Sequence, residues 1–213
     1  MLRLSKGNIL SFEQFNEAKQ LKLFGTLNIF DIDETLMHTT AKIAVLKNGQ
    51  KIKELDNREF NSYKLKPGET FDFSQFRDAK KFYDESKPIQ RMFDKVHQIM
   101  KNKNAVTTKV ILLTARADFD SKEIFLQAFR KHGFPIDDVY VERAGNMAGD
   151  EIPATKKAQI VAKYAKTNLY DKMRMFDDSM SNLKAFLKLK SDFPHIDFEA
   201  YFANTDGTIK TIK

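Results

Sequence analysis

Cysteine is absent from all 213 residues. That absence excludes disulfides, thiolate nucleophiles and zinc–thiolate centres together, and it leaves hard, oxygen-rich metal sites as the favoured kind. No uninterrupted apolar run approaches a membrane span, and the opening "MLRLSKGNILSFEQF" has no apolar core of the secretory type. A cytoplasmic protein with no membrane association is expected. Internal repeats and low-complexity segments are also missing, and the lysines are scattered without a block of five or six like charges.

What is present is the composition of an ordinary globular protein, with 42% hydrophobic and 31% charged residues. Residues 1–213 suit one main domain with room for a small insertion, and are too few for two full-sized domains. Lys plus Arg exceed Asp plus Glu by 36 − 29 = 7. A surface with that balance attracts polyanions, although many proteins carry it without such a partner.

Five short apolar runs read as strands: "TLNIFD" (26–31), "KVILLTA" (109–115), "DVYVE" (138–142), "RMFD" (174–177) and "FEAYFA" (198–203). Most are apolar on both faces, as buried parallel strands require. Helical periodicity lies between them. In "PIQRMFDKVHQIM" Ile89, Met92, Phe93 and Val96 share one face. "SKEIFLQAFRKHG" stacks Ile124, Phe125, Ala128 and Phe129 and ends at Gly133. "PATKKAQIVAKYAK" and "SNLKAFLKL" supply two more helices, one before each of the last two strands. The alternation predicts an α/β fold, a Rossmann-like parallel sheet of about five strands flanked by helices. A site is expected where the strands end, because Asp31, Thr114 and Asp177 each stand at the carboxyl end of a predicted strand.

Residues 37–87 break the alternation. "KIAVLKNGQKIKEL" is a hairpin signal with Asn48-Gly49 at its turn. "REFNSYKLKPGE" is expected to add a third strand before the Pro67-Gly68 turn, and "TFDFSQFRDAKKFYDES" reads as loop and short helix. Together they predict a small β-hairpin flap or cap. Phe71, Phe73, Phe76, Phe82 and Tyr83, beside Arg77, Lys80 and Lys81, form either a stacking platform for bases or the small core of that cap; the core is favoured.

"FDIDETL" places Asp31 and Asp33 two positions apart behind the apolar "LNIF". Like charges at the mouth of a buried strand are costly without a cation, hydrogen bonds or a shared proton, so the pair calls for a metal or a reaction. Read alone, "DIDET" also fits an aspartate-rich turn that caps a helix, a common feature. Four elements occur in order: "DIDET", the Thr114 ending "VILLT", a lysine in "TKKAQI", and "FDDSMSNL".

On those four elements, over residues 27–187, the chain resembles the haloacid dehalogenase-like superfamily of phosphohydrolases. The resemblance implies that Asp31 attacks phosphorus to form an aspartyl-phosphate and that Asp33 serves as general acid and then general base. It also implies that Thr114 binds the phosphoryl oxygens and that a lysine supplies fixed charge. A Mg²⁺ site would draw on Asp31, the backbone carbonyl of Asp33, and Asp177 and Asp178, with Asp178 the direct ligand of the last two. Family spacing to the next apolar residue favours Lys156 over Lys157, and Lys157 stays open. Arg116 either binds substrate phosphate or pairs with a carboxylate. Glu34 reads as a solvated charge in the turn, His38 as a polar flap residue, and Ser179 and Asn182 as orienting the next helix. His97, His132 and His195 have no metal-like spacing. The expected activity is a Mg²⁺-dependent phosphatase acting on a nucleotide or a nucleic-acid end. A phosphosugar or other small metabolite is the second reading, and an idle member that only binds a partner is the third.

Overall fold

The computed structural model describes residues 25–101 and 108–212. The amino-terminal stretch read for a secretory signal lies outside the described residues. Among those residues no helix is long and apolar enough to cross a membrane.

The chain begins with β1 (Gly25–Phe30), β2 (Met37–His38), β3 (Ile43–Lys47), β4 (Gln50–Leu55), α1 (Asn57–Ser62) and β5 (Glu69–Asp72). It continues through α2 (Ala79–Glu85), β6 (Lys87–Pro88), α3 (Gln90–Lys101), β7 (Lys109–Thr114), α4 (Lys122–Arg130) and β8 (Tyr140–Arg143). α5 (Pro153–Ala165), β9 (Tyr170–Asp177), α6 (Met180–Lys188), β10 (Asp197–Ala203) and β11 (Ile209–Ile212) complete it.

The main sheet has six strands in the order β11-β10-β9-β1-β7-β8, parallel throughout except for the antiparallel β11 at one edge. The expected sheet of about five strands is therefore one strand short. β11 escapes a pattern search because "TIKTI" alternates over only a few half-exposed residues. β9 also begins four residues earlier than its apolar run. Asp171, Lys172 and Arg174 interrupt the hydrophobic signal there, although Tyr170, Met173 and Met175 are buried.

Period-2 alternation sorts each strand between two cores. Leu27, Ile29, Ile111, Leu113, Met173 and Met175 pack with Ile160, Val161, Leu183 and Phe186 of α5 and α6. Phe30, Val110, Leu112 and Phe176 pack on the other face with Met92, Phe93, Phe125 and Phe129 of α3 and α4. The result is an α/β sandwich, a mainly parallel sheet with helices on both faces. α4 shows the local rules plainly: Ser121 caps it by accepting from the Ile124 amide, and Gly133 follows its end at φ 74°.

Residues 37–88 leave the sheet and return. β2 and β6 pair antiparallel, Met37 with Pro88 and His38 with Lys87, so the ends of this insertion are held side by side. Inside it a second sheet has the order β4-β3-β5, with Asn48 and Gly49 at positive φ in the two-residue turn joining β3 to β4. The third strand is not the "REFNSYKL" segment expected. Asp56 and Glu59 form a capping box that winds Asn57–Ser62 into α1, and the third strand, β5, follows the Pro67-Gly68 turn. Phe60, Tyr63, Phe71 and Phe76 pack on Ile43, Val45 and Leu55 as a small separate core. Phe82 instead packs at tilted angles against Phe119, Phe125 and Phe129 in the main core.

Candidate active site

Strand parity builds the centre. Asp31 continues the Leu27, Ile29 series and Asp177 the Met173, Met175 series, so both carboxylates emerge on the side covered by α5 and α6. The Asp31 amide donates to the Phe176 carbonyl at 3.0 Å, which keeps β1 and β9 in register up to the site.

α5 supplies the cation. Its buried stripe runs Ala154, Lys157, Val161, Ala165, and Lys157 is 2% exposed. Its Nζ donates to Asp31 Oδ1 at 2.6 Å and to Asp177 Oδ2 at 2.8 Å. Lys156 points elsewhere, onto the carbonyls of Met147 and Gly149 at 2.8 and 2.7 Å. The spacing argument for Lys156 is therefore corrected in favour of Lys157. Adjacent helix residues diverge by about 100°, and only Lys157 lies on the apolar stripe, three residues before Ile160 and four before Val161.

Asp177 is fully engaged. Its Oδ1 accepts from the Ser179 amide at 2.8 Å and Asn182 Nδ2 at 2.9 Å, while Oδ2 accepts from Lys157 and, at 3.0 Å, from the same Asn182 amide group. Asn182 thus orients a carboxylate, a role beyond steering its helix. Ser179 occupies the N-cap of α6, but its hydroxyl meets Ser181 Oγ at 2.8 Å and does not cap. Asp178 accepts no hydrogen bond from any described residue, and Asp31 Oδ2 is equally uncommitted.

Carboxylate oxygens of Asp31, Asp177 and Asp178 lie within 4.8 Å of one another. Three carboxylates and one ammonium sum to −3 + 1 = −2, the charge a single divalent cation balances. The strain of that excess appears in the acidities. Burial holds Asp31 well above the usual carboxylate range; Lys157 opposes the rise, and Asp177, Asp178 and Asp33 add to it. Burial, then Asp177, pushes Asp178 up to about 7. Burial alone would lower Lys157, yet the charges of Asp177 and Asp31 outweigh it and keep the ammonium more basic than usual. An all-oxygen set of this charge fits Mg²⁺.

Asp33 has its own partner. Arg116 Nε lies 3.1 Å from Oδ1 and 2.9 Å from Oδ2, and Nη2 lies 2.6 Å from Oδ1. Of the two readings of Arg116, the structure has the carboxylate pair. The Asp33 carboxylate stands outside the acidic trio. Thr114, buried at the end of β7, accepts the Arg116 amide at 3.1 Å on its hydroxyl oxygen, leaving its proton free of any described partner. Glu34 is not simply solvated. At φ 55° it lies 3.0 Å from His38 Nδ1 and accepts the Thr39 amide at 3.0 Å, tying the turn after β1 to the insertion.

Sequence reasoning missed Thr39, whose hydroxyl donates to Asp33 Oδ1 at 2.9 Å, and Gly145. A Cβ at Gly145 would overlap the backbone of Arg116 and Ala117, so this glycine lets two chain segments touch behind Arg116. A groove of about 410 Å³ between α3 and the sheet, lined in part by Asn28, Lys95, Arg174 and Tyr201, holds none of these residues. No family model matches the chain, and neither does any curated protein.

Two stability predictions follow from the charge balance, both for metal-free protein. Lys157→Met leaves buried carboxylates uncompensated and should cost about 3–5 kcal/mol, against about 1 kcal/mol or less for Lys156→Met, by denaturant titration. Asp178 binds its proton more tightly folded than unfolded, so its contribution is fully present below pH 4 and is lost as pH rises toward 7. Asp178→Asn should therefore raise the Tm at pH 8 and leave it little changed at pH 4.

Proposed function

We propose that this chain is a Mg²⁺-dependent phosphatase that hydrolyses a phosphomonoester through an aspartyl-phosphate. The observation that carries the reading is the buried Lys157 bridging Asp31 and Asp177, with Asp178 alongside and Asp31 Oδ2 left uncommitted. An oriented carboxylate with one oxygen free is what a nucleophile needs, and a bound cation would keep it ionised against the burial that raises its pKa. The resemblance of "DIDET", Thr114 and "FDDSMSNL" to the haloacid dehalogenase-like superfamily points to the same chemistry, with the mainly parallel sheet as a Rossmann-like core and residues 37–87 as a small cap.

Asp31 and Asp178 would hold the metal, which when bound offsets the charge of the phosphoryl oxygens. Asp31 attacks phosphorus, and Lys157 holds it at Oδ1 while Oδ2 reacts. The free proton of the Thr114 hydroxyl binds a phosphoryl oxygen. Asp33 protonates the leaving oxygen and then takes a proton from the attacking water. Arg116, committed to Asp33, is withdrawn as a substrate ligand, and Asp177 acts by fixing Lys157. The excess of 7 positive charges favours a polyanionic substrate, a nucleotide or a nucleic-acid end, over a phosphosugar.

Phosphate release across nucleotides, phosphosugars and oligonucleotides with 3′- or 5′-phosphate ends tests this reading. Release should require Mg²⁺, stop with a chelator, and fall by about 10⁴-fold or more in Asp31→Asn with the fold intact. Undiminished release in that variant would overturn the mechanism. Salt-sensitive binding of nucleic acid without release from any substrate would point to a binding protein instead.

A further inference from the structure

Arg116 is a second buried cation, and its surroundings assign it a narrower task than charge balance. Its side chain is 1% exposed. The guanidinium carbon lies 4.4 Å from the Phe76 ring centroid, 5.1 Å from Phe82 and 5.2 Å from Phe119, and Nη1 donates to the Phe76 carbonyl at 2.9 Å. A planar cation boxed by three rings and a carbonyl is a fixed wall. Its backbone is fixed as well: the amide donates to Thr114 Oγ1, and the carbonyl accepts the Gly145 amide at 3.3 Å.

This wall treats the two oxygens of Asp33 differently. Oδ1 receives Arg116 Nε, Arg116 Nη2 and the Thr39 hydroxyl, at 3.1, 2.6 and 2.9 Å. Oδ2 receives Arg116 Nε alone, at 2.9 Å. A carboxylate oxygen offers about two lone-pair sites, so Oδ1 is saturated and Oδ2 is not. Oδ2 is therefore the oxygen with a lone-pair site left open.

Resting on the phosphatase reading, we infer that Arg116 and Thr39 are positioning residues that clamp Asp33 so that Oδ2 alone exchanges the proton of the reaction. In the first step an Asp31 oxygen bonds to phosphorus and the ester P–O bond breaks. Its electron pair stays on the leaving oxygen, which takes the proton from Asp33 Oδ2 and departs as the alcohol. In the second step water bonds to phosphorus, its proton passes to Oδ2, and the bond from phosphorus to Asp31 breaks to release phosphate. Loosening the clamp should therefore hurt most where the leaving oxygen most needs a proton.

The test compares kcat/KM for an alkyl phosphomonoester, a poor leaving group, with p-nitrophenyl phosphate, whose phenolate leaves without a proton. Mg²⁺ is present throughout, and circular dichroism and Tm check folding. Arg116→Lys keeps a charge but loses the two-point grip, and should lower the alkyl value by about 100-fold or more and the aryl value by about tenfold or less. A burst of p-nitrophenolate should precede its steady state, because hydrolysis of the aspartyl-phosphate still needs the proton acceptor. Thr39→Val, which only removes one donor to Oδ1, should show the same bias at about tenfold against twofold. It decides the matter where Arg116→Lys does not fold. Equal losses on both esters, or no loss, in wild-type-like folds would overturn the clamp while leaving the phosphatase reading in place. No turnover of either ester by the wild-type protein would overturn both.

Discussion

A single ammonium buried between two carboxylates constrains the rest of this molecule. Lys157 is 2% exposed and reaches both Asp31 and Asp177. Its desolvation is tolerable only because those charges are adjacent, and theirs only because it is present. The compensation is incomplete: among the described residues the third carboxylate, Asp178, has no ion-pair partner of its own. A fold that buries an uncompensated pair of negative charges gives up stability unless another cation completes the set. Burial, with the mutual repulsion of the carboxylates, raises the pKa values of Asp31 and Asp178, and the same excess of buried negative charge makes the centre a cation site.

Backbone geometry delivers these groups with little adjustment. β1 and β9 are neighbours in parallel register, so the odd-numbered residues that bury Leu27, Ile29, Met173 and Met175 carry Asp31 and Asp177 onto one side. α5 packs on that side, and its buried stripe includes the lysine that reaches both carboxylates. The apolar periodicity that forms the core therefore also aims the charges. A shift of one residue in either strand would send its carboxylate to the opposite face, toward Phe30 and Phe176. The stacked rings of Phe30, Phe176 and Tyr201 occupy that face at the adjoining register, with centroids 4.5 and 4.9 Å apart.

Much of this was legible in sequence, for physical reasons that also explain the failures. Parallel strands buried on both faces leave dense apolar runs, so β1, β7 and β10 were found near their observed bounds, and the helices α3 to α6 announced themselves by period. β11 and the first half of β9 were lost because their residues are half exposed or charged. The strand expected in "REFNSYKL" is instead α1: Phe60 and Tyr63 stand three apart, a helical interval, and the deciding signal is Asp56 three residues before Glu59, a capping box. Lys157 was available from the stripe Ala154, Lys157, Val161, Ala165, which outweighs family spacing because a helix has one buried face. Thr39, Gly145 and the Phe76 carbonyl carry no sequence signal at all. Their importance comes from contacts between distant segments, which only the fold creates.

Those distant contacts connect the insertion to the chemistry. Asp33 is held by Thr39, near the start of residues 37–88, and by Arg116, whose Nη1 is satisfied by Phe76 toward their end. Glu34 adds a third tie through His38 and the Thr39 amide. The insertion has a core of its own in Ile43, Val45, Leu55 and their aromatic neighbours, while Met37 and Phe82 tie its two ends into the main core. Asp31, Asp177 and Lys157 are placed by the sheet and α5 alone. Asp33 is not, because of the two residues that anchor it Thr39 is supplied by the insertion and Arg116 is braced by it. The centre is thus divided between a half that sets charge, placed by the sheet and α5, and the Asp33 half, whose geometry the insertion helps to set through Thr39 and Phe76.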